Sequence, residues 1–189
     1  FSQSDCSDNR YLEEYFDVNV QYNIEYGENT NENFFGSEYV QTLYMDIYEP
    51  AGDELLNRPL IIFMFGGAFV TGAKSSSDIV NLCLNYASRG YVAAAIDYRL
   101  TPSLLIDDSD ENAYEAVIKG IHDLKASIRF FRMDDELYNT YRIDSGRIYA
   151  GGVSAGAIAS LNATYIDEEE EALSLITAEH LEELGGLEG

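Results

Sequence analysis

One stretch constrains the fold of this chain more than any other. Residues 59–65, Pro-Leu-Ile-Ile-Phe-Met-Phe, form an unbroken apolar run that stops abruptly at Gly66 and Gly67. Seven residues are too few for a buried helix of usual length. A strand with one wet face would alternate polar and apolar positions. An uninterrupted run of this length therefore predicts a strand covered on both faces. The same character returns in 91–98 (YVAAAIDY) and more briefly in 147–154 (RIYAGGVS).

Helical spacing fills the gaps between these strands. Residues 76–90 repeat apolar side chains at Ile79, Leu82, Cys83 and Tyr86 and end at Gly90. Residues 111–131 carry the longest stripe, through Ala113, Ala116, Val117, Gly120, Ile121, Leu124, Ile128 and Phe131. Residues 155–166 read as a helix of small side chains. The resulting β-α-β-α-β-α order predicts a parallel sheet with helices on both faces.

Upstream the period changes. Phe16, Val18, Val20, Tyr22, Ile24 and Tyr26 share one parity, as do Leu43, Met45 and Ile47 before Pro50. These segments, 15–26 and 39–50, predict an antiparallel hairpin joined by a polar turn over 27–38. Residues 1–14 read as an N-terminal tail. Residues 167–189 read as an acidic surface segment with one weak helical stripe. The whole is expected to be a single domain.

Charge narrows the partners. The 189 residues hold 34 acidic and 11 basic side chains, a formal charge of −23. Such a chain repels a phosphate backbone, so nucleic acid is excluded as an expected partner. The acidity reads as a solvated surface, and the stretch 106–112 (IDDSDEN) as a loop capping the next helix. It lacks the central Gly and the final Glu of a calcium loop, and no metal ligand set is expected. No apolar run is long enough to span a bilayer. The opening FSQSDCSD resembles the mature end left by signal-peptide removal, or a trimmed end; the first reading implies a secreted or periplasmic protein. In that setting Cys6 and Cys83 could form one disulfide, with two free thiols as the alternative.

Candidate chemistry sits at two turns. Gly152-Val153-Ser154-Ala155-Gly156 is a G-x-S-x-G sequence between a strand and a helix, which exposes the serine hydroxyl on a tight turn. A serine attacking a carbonyl needs donors for the oxyanion it creates. The N–H of Ala155 is one candidate. Gly66 and Gly67 free the backbone so that the N–H groups of Gly67 and Ala68 can supply the others.

Taken together, FMFGGAF, AAIDYRL and GGVSAGA resemble, in order and spacing, three motifs of the esterase and lipase group of α/β-hydrolases, over roughly residues 40–166. They match its H-G-G-G-F oxyanion segment, its D-Y-R-L strand end and its G-x-S-A-G nucleophile elbow. The resemblance implies the α/β-hydrolase fold, mostly parallel, with the C-terminal strands missing. It implies hydrolysis of a small or polymeric carboxylic ester by Ser154 through an acyl-enzyme, without a cofactor. Phe65 stands where many members of the group have His, a departure that type-B carboxylesterases share in tolerating an aromatic there.

The group's triad runs Ser, then acid, then His. After Ser154 the chain offers only His180, on an acidic helix-like stretch that reads as surface. His122 precedes the serine and reads as helix surface too. The acid and base are therefore expected outside these residues, on a C-terminal segment of the same protein that completes the sheet. An α/β-hydrolase-fold binding module and an inactive fragment remain as alternative readings.

Overall fold

The computed structural model describes residues 9–102, 110–166, 168–173 and 176–187. Among the described residues, ten elements follow one another. They are β1 (Val18–Glu32), β2 (Glu38–Pro50), β3 (Arg58–Met64), α1 (Ser77–Ala87), β4 (Val92–Ile96), α2 (Asp110–Leu137), β5 (Ile143–Gly152), α3 (Ala155–Tyr165), α4 (Glu169–Ala172) and α5 (Ala178–Glu183). The strands form one sheet in the order β1-β2-β4-β3-β5. β1 and β2 are antiparallel, β2 meets β4 antiparallel, and β3 lies parallel to both β4 and β5.

Both faces of the sheet are covered, as the unbroken apolar strands require. Neighbouring residues of β3 point in opposite directions. Phe63 packs its ring against Tyr86 of α1, 5.5 Å between centroids. Met64 points instead to Gly120 of α2. α2 and α3 pack together on that second face. Every residue of β3 and β4 is buried. Ala93 and Ala95 of β4 share the face of Phe63 and let α1 approach closely, which buries its Ile79 and Cys83. Burial pushes the Cys83 thiol up from its ordinary pKa. Its expected partner Cys6 lies outside the described residues, as does most of the acidic stretch 106–112.

The structure revises several expectations. The polar turn is shorter than predicted, because β1 continues to Glu32 and only residues 33–37 turn. Polar side chains suit this strand end. The Asn31 amide donates to Gln41 Oε1 at 2.8 Å across the pair, and its backbone still completes the ladder. Tyr22 breaks the parity of β1. A bulge with Asn23 at φ 56° turns its ring outward to solvent.

The N-terminal tail is docked from residue 9 onward. Arg10 ion-pairs with Asp53, and the Tyr11 N–H donates to Arg89 O at the end of α1. Residues 168–173 and 176–187 are less superficial than the sequence suggests. Ala172, Ile176, Leu181 and Leu187 form a second apolar cluster with Ile118 and Ile121 of α2 and Ile166. α2 is thereby enclosed on three sides, and residues 118–124 are buried without interruption. Inside it, Asp123 accepts from both the backbone N–H and the Nε of Arg99.

At the other end of the sheet, no strand pairs with the outer edge of β5 among the described residues. Beside that edge lies an open groove of about 570 Å³, lined by Ile61, Phe63, Tyr86, Tyr91 and Tyr149.

Candidate active site

Ser154 occupies the junction between β5 and α3 with φ 52° and ψ −114°, a conformation that L-residues rarely adopt. Close packing of the turn against β3 holds it there. A Cβ on Gly152 would fall 2.6 Å from Met64 O, and one on Gly156 would fall 2.3 Å from the same atom. Neither glycine tolerates a side chain. The Val153 N–H donates to Met64 O at 3.1 Å, which continues the β3–β5 ladder to the serine itself. Ser154 is solvent-exposed, and no described residue hydrogen-bonds its hydroxyl.

The turn after β3 lies against it. A Cβ on Gly66 would stand 3.2 Å from Ser154 Cβ. Gly67 has φ 135°, and Ala68 and Phe69 follow in the left-handed region at 53° and 62°. Two consecutive non-glycine residues there are strained by about 1–2 kcal/mol each. Three contacts hold them. The Val70 and Thr71 N–H groups both donate to Gly67 O, at 3.0 and 3.1 Å. Phe69 is buried, and its carbonyl accepts from Thr101 N–H at 2.8 Å. Among the described residues, no acceptor engages the N–H groups of Gly67, Ala68 or Ala155. Ala155 is the first residue of α3, where an N–H has no partner within the helix.

Phe65 anchors the start of this loop. Its ring stacks on Tyr98 at 4.3 Å and 21°, and the Tyr98 hydroxyl donates to Phe65 O at 2.9 Å. Burial pushes the Tyr98 phenol upward, so it stays protonated and remains a donor. An aromatic stack with one backbone hydrogen bond thus fixes the start of this loop. Tyr98→Phe keeps the ring and removes the bond. We expect it to cost about 1 kcal/mol in thermal unfolding and to slow any reaction at Ser154 several-fold. Asp97 and Arg99 act as braces. Asp97 Oδ1 accepts from Lys74 N–H at 2.8 Å, and Arg99 NH1 donates to Thr30 O at the same distance.

Both histidines are committed elsewhere. His180 lies half-buried, with Nε2 3.1 Å from Glu115 Oε2. His122, expected at the surface, is almost wholly buried, and its Nε2 donates to Gly186 O at 2.7 Å. The reason is the cluster of Ala172, Ile176, Leu181 and Leu187, which closes over this side of α2.

Burial lowers the His122 pKa to about 4, assisted by the cations of Arg99, Lys125 and Arg129 and opposed by the Gly186 bond. The unfolded chain binds this proton near pH 6.5, so between these values it holds more protons than the folded state. Stability is therefore complete above pH 6.5 and falls by about 3 kcal/mol as the pH drops to 4. Urea unfolding of wild type and His122→Gln at several pH values should show the variant losing less over that window.

The chain is similar to known esterases. The sequence pattern of the BD-FAE family matches residues 45–183. An isoprenylcysteine alpha-carbonyl methylesterase of Arabidopsis thaliana is 28% identical over 113 residues, which are 60% of this chain and 22% of that protein. A thermophilic esterase of the planctomycete Thermogutta terrifontis, solved with butyrate bound, is 30% identical. It matches with a TM-score of 0.51 over 63% of this chain and 38% of that one. The same esterase, solved after phosphonylation by sarin, is 26% identical with a TM-score of 0.52, over 72% and 47%. The chain spans 22% to 29% of the length of the curated relatives it matches.

Proposed function

The chain belongs to the BD-FAE family, a family of α/β-hydrolase esterases, and we propose that it carries the nucleophile of a serine carboxylesterase. In this reading Ser154 Oγ attacks the ester carbonyl. The tetrahedral oxyanion is held by the N–H groups of Gly67, Ala68 and Ala155. Its collapse expels the alcohol and leaves an acyl-serine, which water then hydrolyses to the carboxylic acid and free serine.

The observation that carries the reading is the meeting of two strained turns. Ser154, at φ 52°, projects an exposed hydroxyl beside a loop whose N–H groups have no described acceptor. Sarin phosphonylates the Thermogutta relative, and the same reaction at Ser154 fits this arrangement. With His122 bound to Gly186 and His180 to Glu115, the base and the acid come from a further segment of the same protein. That segment pairs with the edge of β5 that no described strand occupies and fills the groove between Tyr86, Tyr91 and Tyr149.

Hydrolysis of short-chain nitrophenyl esters tests the proposal. Intact mass first establishes which species is present. A protein extended beyond these residues should turn over the ester, and these residues alone should not. Full, Ser154-dependent turnover by this chain alone would refute the assignment of the base. A complete protein with no turnover on any ester, and no adduct with organophosphonates, would refute the esterase reading itself.

A further inference from the structure

We infer that Lys74 is a positioning residue for the oxyanion loop, acting through its charge on Asp97 and Asp46. The inference rests on the esterase reading for its catalytic consequence but not for its structural one.

Lys74 follows the loop directly, two residues after Gly72. It is one of three lysines in the chain, and its side chain is almost entirely buried. Burying an ammonium is unfavourable unless it is paired and hydrogen-bonded. Here Nζ lies 2.9 Å from Asn23 Oδ1, 3.3 Å from Asp46 Oδ1 and 3.5 Å from Asp97 Oδ2. These partners come from the β1 bulge, from β2 and from the end of β4. The bulge is shaped to reach the site, since the Asn23 N–H also donates to Asp46 Oδ1 at 2.8 Å. One ammonium thus draws three strands of the sheet onto the segment that closes the loop.

The link to Ser154 is short. Asp97 accepts from the Lys74 backbone N–H, and its neighbour Tyr98 holds Phe65 O. The two ends of the loop, Phe65 and Lys74, are therefore fixed to adjacent residues of one strand end. Between them the space is tight. A Cβ on Gly72 would lie 2.5 Å from the Phe65 ring and 2.6 Å from Gly66 O. A shift of Lys74 passes through Gly72 to Gly66, which abuts Ser154. Without its cation, Asp46 is left buried beside Asp97 with two like charges to accommodate.

Lys74→Ala in the complete protein tests this in two independent ways. Hydrogen exchange should show the Val70 and Thr71 amides about tenfold less protected, with the amides of β3 and β4 unchanged. Ester turnover should fall roughly 10- to 100-fold in kcat with little change in KM. Asp97 lines an open cavity of about 420 Å³ together with Phe65 and Gly72, so one of the two carboxylates that Lys74 bridges is reachable from solvent. Ethylammonium should therefore restore protection and kcat together, where sodium at equal ionic strength should not. A merely structural lysine would not respond in this way.

Should Lys74→Ala fail to fold, Lys74→Gln, which keeps a donor without the charge, is measured in the same way. Unchanged protection of Val70 and Thr71 overturns the inference whatever the assay gives. A wild-type protein without turnover refutes the esterase reading, and the exchange measurement still decides the role of Lys74.

Discussion

Ser154→Ala is expected to lower ester hydrolysis by the complete protein about a millionfold, with the fold intact. The size follows from what is lost. The hydroxyl is the only part of Ser154 that the proposed chemistry uses, and acyl transfer through it has no substitute in the described site. A residual rate about 10³- to 10⁴-fold above the uncatalysed reaction should remain, because the N–H groups of Gly67, Ala68 and Ala155 still stabilise an oxyanion formed by water. Stability should change by no more than about 0.5 kcal/mol. The side chain is exposed and makes no hydrogen bond to a described residue, and alanine faces the same backbone strain that serine does. Circular dichroism and thermal unfolding beside the assay separate this outcome from a loss caused by misfolding. An unaltered biological role in the Ser154→Ala protein would favour a binding module over an enzyme.

Gly67→Ala should be the most damaging single methyl group in the oxyanion loop. At φ 135° an L-residue is strained, and the added Cβ would stand 1.9 Å from Thr71 O. No side-chain rotation relieves that contact, because both atoms are fixed by the backbone. The turn must open, and with it go the Val70 and Thr71 hydrogen bonds to Gly67 O that hold Ala68 and Phe69 in the left-handed region. We expect kcat to fall about 10²- to 10³-fold, the cost of losing a preorganised oxyanion donor. Stability should fall by only about 1–3 kcal/mol, since the loop lies at the sheet end and leaves the β3–β4 core in place. A variant that loses stability but keeps kcat would show that these N–H groups do not face the reacting carbonyl.

The parts of the fold legible in the sequence are those whose pattern has one physical cause. Apolar runs unbroken over 59–65 and over 91–96 marked the doubly covered strands, and G-x-S-x-G between a strand and a helix marked the elbow. The parts that were not legible depend on what packs against them. Asn29–Glu32 are polar, yet they form strand because backbone pairing with β2 and the Asn31–Gln41 bond suffice at an edge. His122 sits between Ile121 and Asp123, off the apolar stripe. A stripe shows one buried face, but α2 is enclosed on three sides. Its burial depends on Ile176, Leu181 and Leu187, whose acidic surroundings read as surface. Phe65 stood out as a departure from the commoner histidine. Its stack on Tyr98 joins residues 33 positions apart and follows from no local spacing. Lys74 carried no signal beyond its rarity, because its three partners lie on three different strands.

The central claim is that Ser154 is the nucleophile of an esterase. Peptide mapping by mass spectrometry after treatment of the complete protein with an organophosphonate tests it most directly. The account predicts one adduct, on the peptide that contains Ser154, formed in step with loss of ester hydrolysis and absent from Ser154→Ala. An adduct on another residue that tracks the loss of activity, or ester hydrolysis that persists in Ser154→Ala, would contradict it.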